Sequence, residues 1–224
     1  MGIGTLGEKA LHAMLKQYYE PEINNHEIPV GSFVADIVSG NSIIEIQTRS
    51  FDRLREKLAV FLEAYHVTVV YPLPKTKWLL WIDGETGETT KKRKSPKQGS
   101  INDAFPELYK IKQFLTRPNF LLCIVMVDLE EYRYLNGWSK DKKKGSTRCD
   151  RIPLGIVDEF YFNSPEDYLQ FVPEGLQAPF TSKDYMKAAG ISLHVSQRAL
   201  NILHHMGVVE RVGKQGNLLI YERS

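Results

Sequence analysis

Cysteine is scarce in this 224-residue chain. Cys123 and Cys149 are too few for a disulfide framework or a cysteine-rich zinc site. Long apolar runs are also missing: the longest, Phe120 to Val127, falls far short of the roughly 20 residues a helix needs to cross a bilayer, so no membrane partner is expected. The first residues lack the basic start and apolar stretch of a secretory signal, which makes a reducing cytoplasm the expected compartment. The six histidines show no metal-ligating spacing with one another, and no Gly-x-Ser-x-Gly elbow occurs. Gly207 to Lys214 fails as a phosphate-binding loop, because Gln215 stands where Ser or Thr is needed. These absences set aside disulfide-stapled, membrane-spanning, zinc-cysteine and serine-hydrolase classes.

What remains is a globular composition, 42% hydrophobic and 25% charged, in a chain long enough for a sizeable core and a small appendage. The net charge of +2 conceals an uneven distribution. Residues 75 to 97 carry seven Lys/Arg against three Asp/Glu, and residues 140 to 151 carry six against two. Runs such as Lys91, Lys92, Arg93 and Lys94, or Lys142, Lys143 and Lys144, read singly as solvated loops. Two in one chain point to a polyanion partner.

Hydrophobic spacing predicts a first helix from a Thr5 cap through Leu11, Met14, Leu15 and Tyr18 to Pro21. Strands follow at about 26–30, 32–38 and 42–48, the last two joined by a tight Gly40-Asn41 turn. Ser50 is placed to cap a second helix with an apolar stripe of Leu54, Leu58, Phe61, Leu62 and Tyr65, and a strand from His66 to Tyr71 is expected to stop at Pro72 and Pro74. Beyond these come strands at Trp78–Ile82, Phe120–Val127 and Leu154–Phe162, a helix near 101–115 and a short one capped by Ser164. The stretch 174–179, flanked by Pro173, reads as a linker.

A two-residue turn at Gly40-Asn41 sets Asp36 opposite Glu45. Cβ atoms of such pairs lie about 5 Å apart, and like charges there are destabilising unless something offsets them. A divalent cation is the natural offset, since Mg²⁺ takes one or two carboxylate oxygens and keeps several waters. Gln47 points to the same face as Glu45. Glu8 lies beside the inward stripe of the first helix; it completes a capping box with Thr5 or contributes a third carboxylate. Asp128, Glu130 and Glu131 read as a solvated strand end.

A helix Glu, a strand Asp, then Glu-x-Gln on the next strand and a helix after it resembles the PD-(D/E)XK nuclease superfamily over residues 4 to 72. Ala35-Asp36 stands for the family's Pro-Asp and Glu45-Ile46-Gln47 for its Glu-x-Lys. The resemblance implies Mg²⁺-dependent phosphodiester hydrolysis, Mn²⁺ being a possible substitute, with Glu8, Asp36 and Glu45 holding metal and Gln47 positioning the attacking water. Gln47 replaces a lysine and carries no charge. In some members the lysine moves to the following helix, where Lys57 or Arg53, one turn apart, could reach back; the leading reading for each is a solubilising surface residue.

Residues 180 to 224 resemble a winged helix-turn-helix: Thr181 caps one helix, Gly190-Ile191 turn, Ser192 caps a second to Met206, and strands from Val208 and Leu218 flank a hairpin at 213–217. Val195, Ala199, Leu203 and Met206 form the inward stripe of the second helix. That leaves His194, Gln197, Arg198 and Asn201 to meet a DNA groove, with Arg211 and Lys214 on the wing and Lys91, Lys92, Arg93 and Lys94 for phosphates. The expectation is an α+β protein: a restriction-endonuclease-like αβββαβ core with a basic extension over 1–173, a linker at 174–179 and a winged helix over 180–224. It would act as a DNA endonuclease, as a possible homodimer where both strands are cut. The rivals are a non-catalytic nucleic-acid-binding regulator on a degenerate nuclease fold and, from a third class, a protein-interaction scaffold.

Overall fold

The computed structural model describes residues 10–135 and 147–224. It is a mixed α+β architecture built on a seven-stranded sheet. Helix α1 (Ala10–Tyr19) precedes the strands β1 (His26–Val30), β2 (Phe33–Ser39) and β3 (Ser42–Ile46). A 3₁₀ turn at 51–54 and helix α2 (Arg55–Phe61) lead to β4 (His66–Ile82), to β5 (Arg93–Lys94) and to the short α3 (Phe105–Leu108). The strands β6 (Phe120–Tyr134) and β7 (Arg148–Phe162) complete the sheet in the order β1-β2-β3-β4-β6-β7, with β5 also on β4. The neighbours β3, β4 and β6 are parallel and the other pairs antiparallel. The expected hairpin register holds, with Val38 paired to Ile43 across Gly40 at φ +57°, where glycine is the undemanding residue.

One sheet face is covered by α1, whose Leu11 and Leu15 pack on Ile37, Ile46, Val70, Cys123, Val125, Val127 and Leu129. Tyr18, expected on that stripe, is 51% exposed, while its neighbour Tyr19 turns inward to Cys123 and Glu159. The other face buries Phe51, Leu54, Leu58 and Phe61 together with Phe105, Leu108 and Phe171.

Three expectations are corrected. Pro72 and Pro74 do not end β4, which runs 17 residues and holds its pairing to β6 through both prolines. The β3 partner has already ended at Ile46–Val70, so their missing N–H groups cost no bond on that edge. The 101–115 segment breaks into 3₁₀ turns around α3, with a kink at Ile111. Ser50 adopts φ +59° and makes no side-chain cap; the Phe51 amide is taken instead by Glu107 at 2.7 Å.

The C-terminal segment forms a three-stranded antiparallel sheet of β8 (Phe180–Thr181), β9 (Val209–Gln215) and β10 (Leu218–Arg223), with helices α4 (Ser182–Ala189) and α5 (Leu193–His205). Thr181 and Asp184 make the capping box, and Ser192 caps α5. The β9–β10 hairpin is tighter than expected, with strand pairing up to Gln215–Leu218. Apolar residues of this segment, among them Phe180, Tyr185 and Leu200, join the same core as Phe105 and Phe171, and Tyr185 donates to the Phe171 carbonyl at 2.7 Å. No described helix is long and apolar enough to cross a membrane.

Candidate active site

Asp36 and Glu45 meet on the neighbouring interior strands β2 and β3. The contact is made twice over: the Asp36 amide donates to Glu45 Oε1 at 3.2 Å, and the Ile46 amide donates to Asp36 Oδ2 at 2.7 Å. Glu45 is 1% exposed. Burial, followed by the negative charge of Asp36, pushes its carboxyl up to about 7. Burial opposes ionisation of Asp36 as well, but a hydrogen bond from His12, the Ile46 amide and the charge of Lys57 outweigh it and hold that carboxyl below its ordinary range. The two carboxyls thus have environments that drive their proton affinities apart.

Lys57 reaches from α2 to Glu45 Oε2 at 2.7 Å. The expectation that it is a solubilising surface residue is corrected for a geometric reason. Burying Leu54, Leu58 and Phe61 turns α2 so that Lys57, one turn before Phe61 and 5.8 Å over its ring, is directed to Glu45 with its side chain only 22% exposed. Arg53 is exposed, as expected. Gln47 does not face the carboxylates through its amide nitrogen, which donates to the carbonyls of Arg49 and Ser50 and so closes the 47–50 turn.

His12 is the residue that sequence reasoning missed. Its Nε2 lies 3.2 Å from Asp36 Oδ2. The available signal was its place four residues after Glu8, which puts both on one face of any helix they share. Glu8 itself, its Thr5 cap and the run Lys142, Lys143 and Lys144 lie outside the described residues. Among the described residues no three His, Cys, Asp or Glu side chains are gathered for a metal. The donor chemistry nevertheless fits a hard cation: two carboxylates stand against one another, and the charge of Asp36 is part of what raises the proton affinity of Glu45.

The other expected contacts divide. Lys91, Lys92, Arg93 and Lys94 are exposed, yet they are not a loose loop. Arg93 and Lys94 form β5 on Trp78 and Leu79, and Lys92 pairs with Glu130 at 2.6 Å while standing 4.8 Å over the Trp78 ring. On α5, His194 and Gln197 are exposed, as are Arg211 and Lys214 on β9. Arg198 and Asn201 instead face the protein. Arg198 lies 5.7 Å over the Tyr109 ring and Asn201 accepts from Lys112 at 2.8 Å, because that flank of α5 is the one that packs on the 109–114 segment.

Comparison with known proteins matches residues 9–163, which run from α1 to the end of β7, to a family described as Domain of unknown function (DUF8091). The chain belongs to that DUF8091 family. The matched segment contains Asp36, Glu45, Lys57 and His12 and spans the seven-stranded sheet, while β8 and the C-terminal helices and hairpin lie beyond it. The full chain is also similar to an uncharacterized protein of Treponema pallidum (strain Nichols), 27% identical over 224 residues, covering 100% of this chain and 88% of the relative. No solved structure matches the chain.

Proposed function

We propose that this DUF8091 protein is a metal-dependent nuclease of the PD-(D/E)XK type, with a restriction-endonuclease-like core and a C-terminal winged helix, acting on DNA. The observation that carries the reading is the buried Glu45, set against Asp36 and paired with Lys57. A carboxylate pair on two adjacent strands and a lysine from the following helix are the groups that phosphodiester hydrolysis uses. Asp36 and Glu45 would hold Mg²⁺ or Mn²⁺, with Glu8 as the third carboxylate. The metal, when bound, supplies Lewis acidity toward a phosphoryl oxygen. Lys57 takes the part of the motif lysine: its ammonium can hold a water or a phosphoryl oxygen and stabilise the charge that develops in the transition state. Gln47 becomes a positioning residue that shapes the 47–50 turn.

Winged-helix contact with DNA would fall to His194, Gln197, Arg211 and Lys214, since Arg198 and Asn201 are engaged with the core. The second reading, a non-catalytic regulator that binds nucleic acid, is favoured by the tie of Gln47 to backbone carbonyls.

The test is cleavage of plasmid and oligonucleotide duplex, junction and flap substrates with Mg²⁺ or Mn²⁺ and with chelator. Lys57→Met should lower cleavage by about 10²-fold or more at unchanged DNA affinity, and Gln47→Ala by less. Metal-independent binding with no cleavage on any substrate would sink the nuclease and leave the regulator.

A further inference from the structure

The acidic residues after the apolar part of β6 are not a solvated strand end. Glu131 is fully buried, two residues beyond Leu129 and on the same face, where the apolar layer under α1 stops. Four cations converge on this one carboxylate. Arg133 donates through Nε at 2.8 Å, Arg151 through Nε at 3.2 Å, Arg148 lies at 3.4 Å and Lys77 at 3.7 Å. The neighbouring acids are already committed. Glu130 points to the opposite face and pairs with Lys92, Asp128 takes the Thr76 amide, and Asp150 takes the Arg151 amide.

Among the described residues, four positive charges against the one negative charge of Glu131 leave three in excess. Burial resists ionisation of Glu131, yet Arg133, Arg148, Lys77 and Arg151 outweigh it and hold the carboxyl down at about 2, so it is charged at any ordinary pH. Lys77 and Arg148 are both held below their usual values, by burial first. The neighbouring cations act in the same direction, and for Arg148 these include Arg49 from the turn after β3. A cluster that repels itself and is only partly neutralised is poised to take another anion. The guanidinium groups are held by β6 and β7, and Arg148 is the most open of the four, with 38% of its side chain exposed.

We infer that Lys77, Arg133, Arg148 and Arg151, arranged around Glu131, form a phosphate-binding site for the backbone of duplex nucleic acid. The arginine fork matches phosphate oxygens two at a time, and Glu131 acts as the internal strut that keeps the guanidiniums oriented when no phosphate is present. Glu45 pairs with Val69, whose β6 partner is Leu122, so Glu131 stands nine residues farther along β6. That separation is roughly 30 Å at strand rise, and the odd number of residues puts Glu131 on the face under α1, opposite the face on which Leu122 packs. Arg49, in the turn after β3, acts electrostatically on Arg148, and the opposite face of the same ribbon carries Lys92 and Lys94 over Trp78. A ribbon that is basic on both faces fits a rod-like polyanion better than a small solute. The choice of DNA rests on the nuclease reading; the choice of phosphate rests on the charge geometry alone.

The experiment is fluorescence anisotropy of a labelled 20-bp duplex with the full chain in EDTA, across a salt titration. It compares the parent with Arg148→Gln/Lys77→Gln, which removes the two longest contacts and leaves Arg133 and Arg151 on Glu131. The double variant should bind about 10-fold more weakly or worse, and its log-log salt slope should flatten by about 0.9 for each phosphate no longer neutralised. Glu131→Gln, which removes the internal anion, should bind duplex more tightly. If that variant does not fold, the double variant alone decides. A parent that fails to bind duplex at low salt, or an unchanged affinity and slope in the double variant, overturns the site. Micromolar binding of inorganic pyrophosphate that duplex does not displace, or of phosphatidylserine vesicles that duplex does not compete, assigns the cluster to another anion and overturns the inference too. Loss of duplex binding in the double variant when the parent cleaves nothing would keep this site and discard the nuclease.

Discussion

Replacing Glu45 by Gln should remove a specific piece of the protein's pH dependence. A carboxyl whose pKa in the folded chain lies above its unfolded value favours folding while it keeps its proton. That stabilisation is complete below about 4.5 and disappears as pH rises through about 7. The rise from 4.5 to about 7 corresponds to about 3 kcal/mol, a large part of a typical folding free energy. Glu45→Gln imitates the protonated carboxyl and has nothing to titrate. Asp36, held low, stays ionised across the same window, so it does not blur the comparison. Urea unfolding in EDTA at pH 5, 6, 7 and 8 should therefore show the variant gaining on the parent by about 3 kcal/mol between the two ends. Lys57→Met should push the parent's fall to higher pH, because the Lys57 charge lowers the Glu45 pKa. Mg²⁺ should move it to lower pH, since a metal competes with the proton for Glu45. Parallel curves for parent and Glu45→Gln across pH 5 to 8 would refute the reasoning at its base, and a fall unaffected by Mg²⁺ would refute the metal assignment.

Two buried tyrosines should respond oppositely to loss of the hydroxyl. Tyr168 has no hydrogen-bond partner among the described residues, so Tyr168→Phe should stabilise by about 1 kcal/mol, while Tyr185→Phe, which loses the bond to Phe171, should destabilise by about 1–2 kcal/mol. Gly99→Ala should lose about 3 kcal/mol in the same urea assay, because a Cβ there would lie 2.0 Å from the Pro74 carbonyl oxygen and the backbone must give way. A chain ending at Pro173 should bind a hydrophobic dye and aggregate, since it uncovers Phe105 and Phe171. A soluble, cooperatively folded fragment would show that the core does not depend on the C-terminal segment.

Local chemistry was legible in the sequence and long-range geometry was not. The Gly40-Asn41 turn fixed the β2–β3 register from Ser39–Ser42 to Ile37–Ile44, because a tight turn leaves no slack, and Asp36 and Glu45 meet just beyond the last paired residues. The capping boxes at Thr181 and Ser164 were equally readable, since each closes within four residues. Prolines misled at β4, where the strand survives because its β3 neighbour has already ended, a fact about pairing rather than about residues 72–74. Lys57 was misjudged because its reach depends on how α2 is rotated on the sheet. Glu131 was misjudged because Arg148 and Arg151 come from β7 and Lys77 from β4. Neither the direction of a helix face nor a partner on another strand leaves a mark in local composition.

The C-terminal segment shows what such long-range packing does to function. Helix α5 has two polar flanks, and docking uses one of them: Arg198 over Tyr109 and Asn201 on Lys112 fix its middle to the core, while His194 and Gln197 nearer its start stay exposed. Tyr185, reaching from α4 to Phe171, ties a second point, and apolar side chains fill the space between. Two elements joined through a shared core move as one body unless that core is opened, and opening it exposes aromatic surface. In the proposed nuclease, a duplex held by His194, Gln197 and the wing would therefore meet the Asp36–Glu45 pair at a set displacement instead of one averaged over a flexible tether. Position along the DNA would then be chosen by geometry as well as by base contacts.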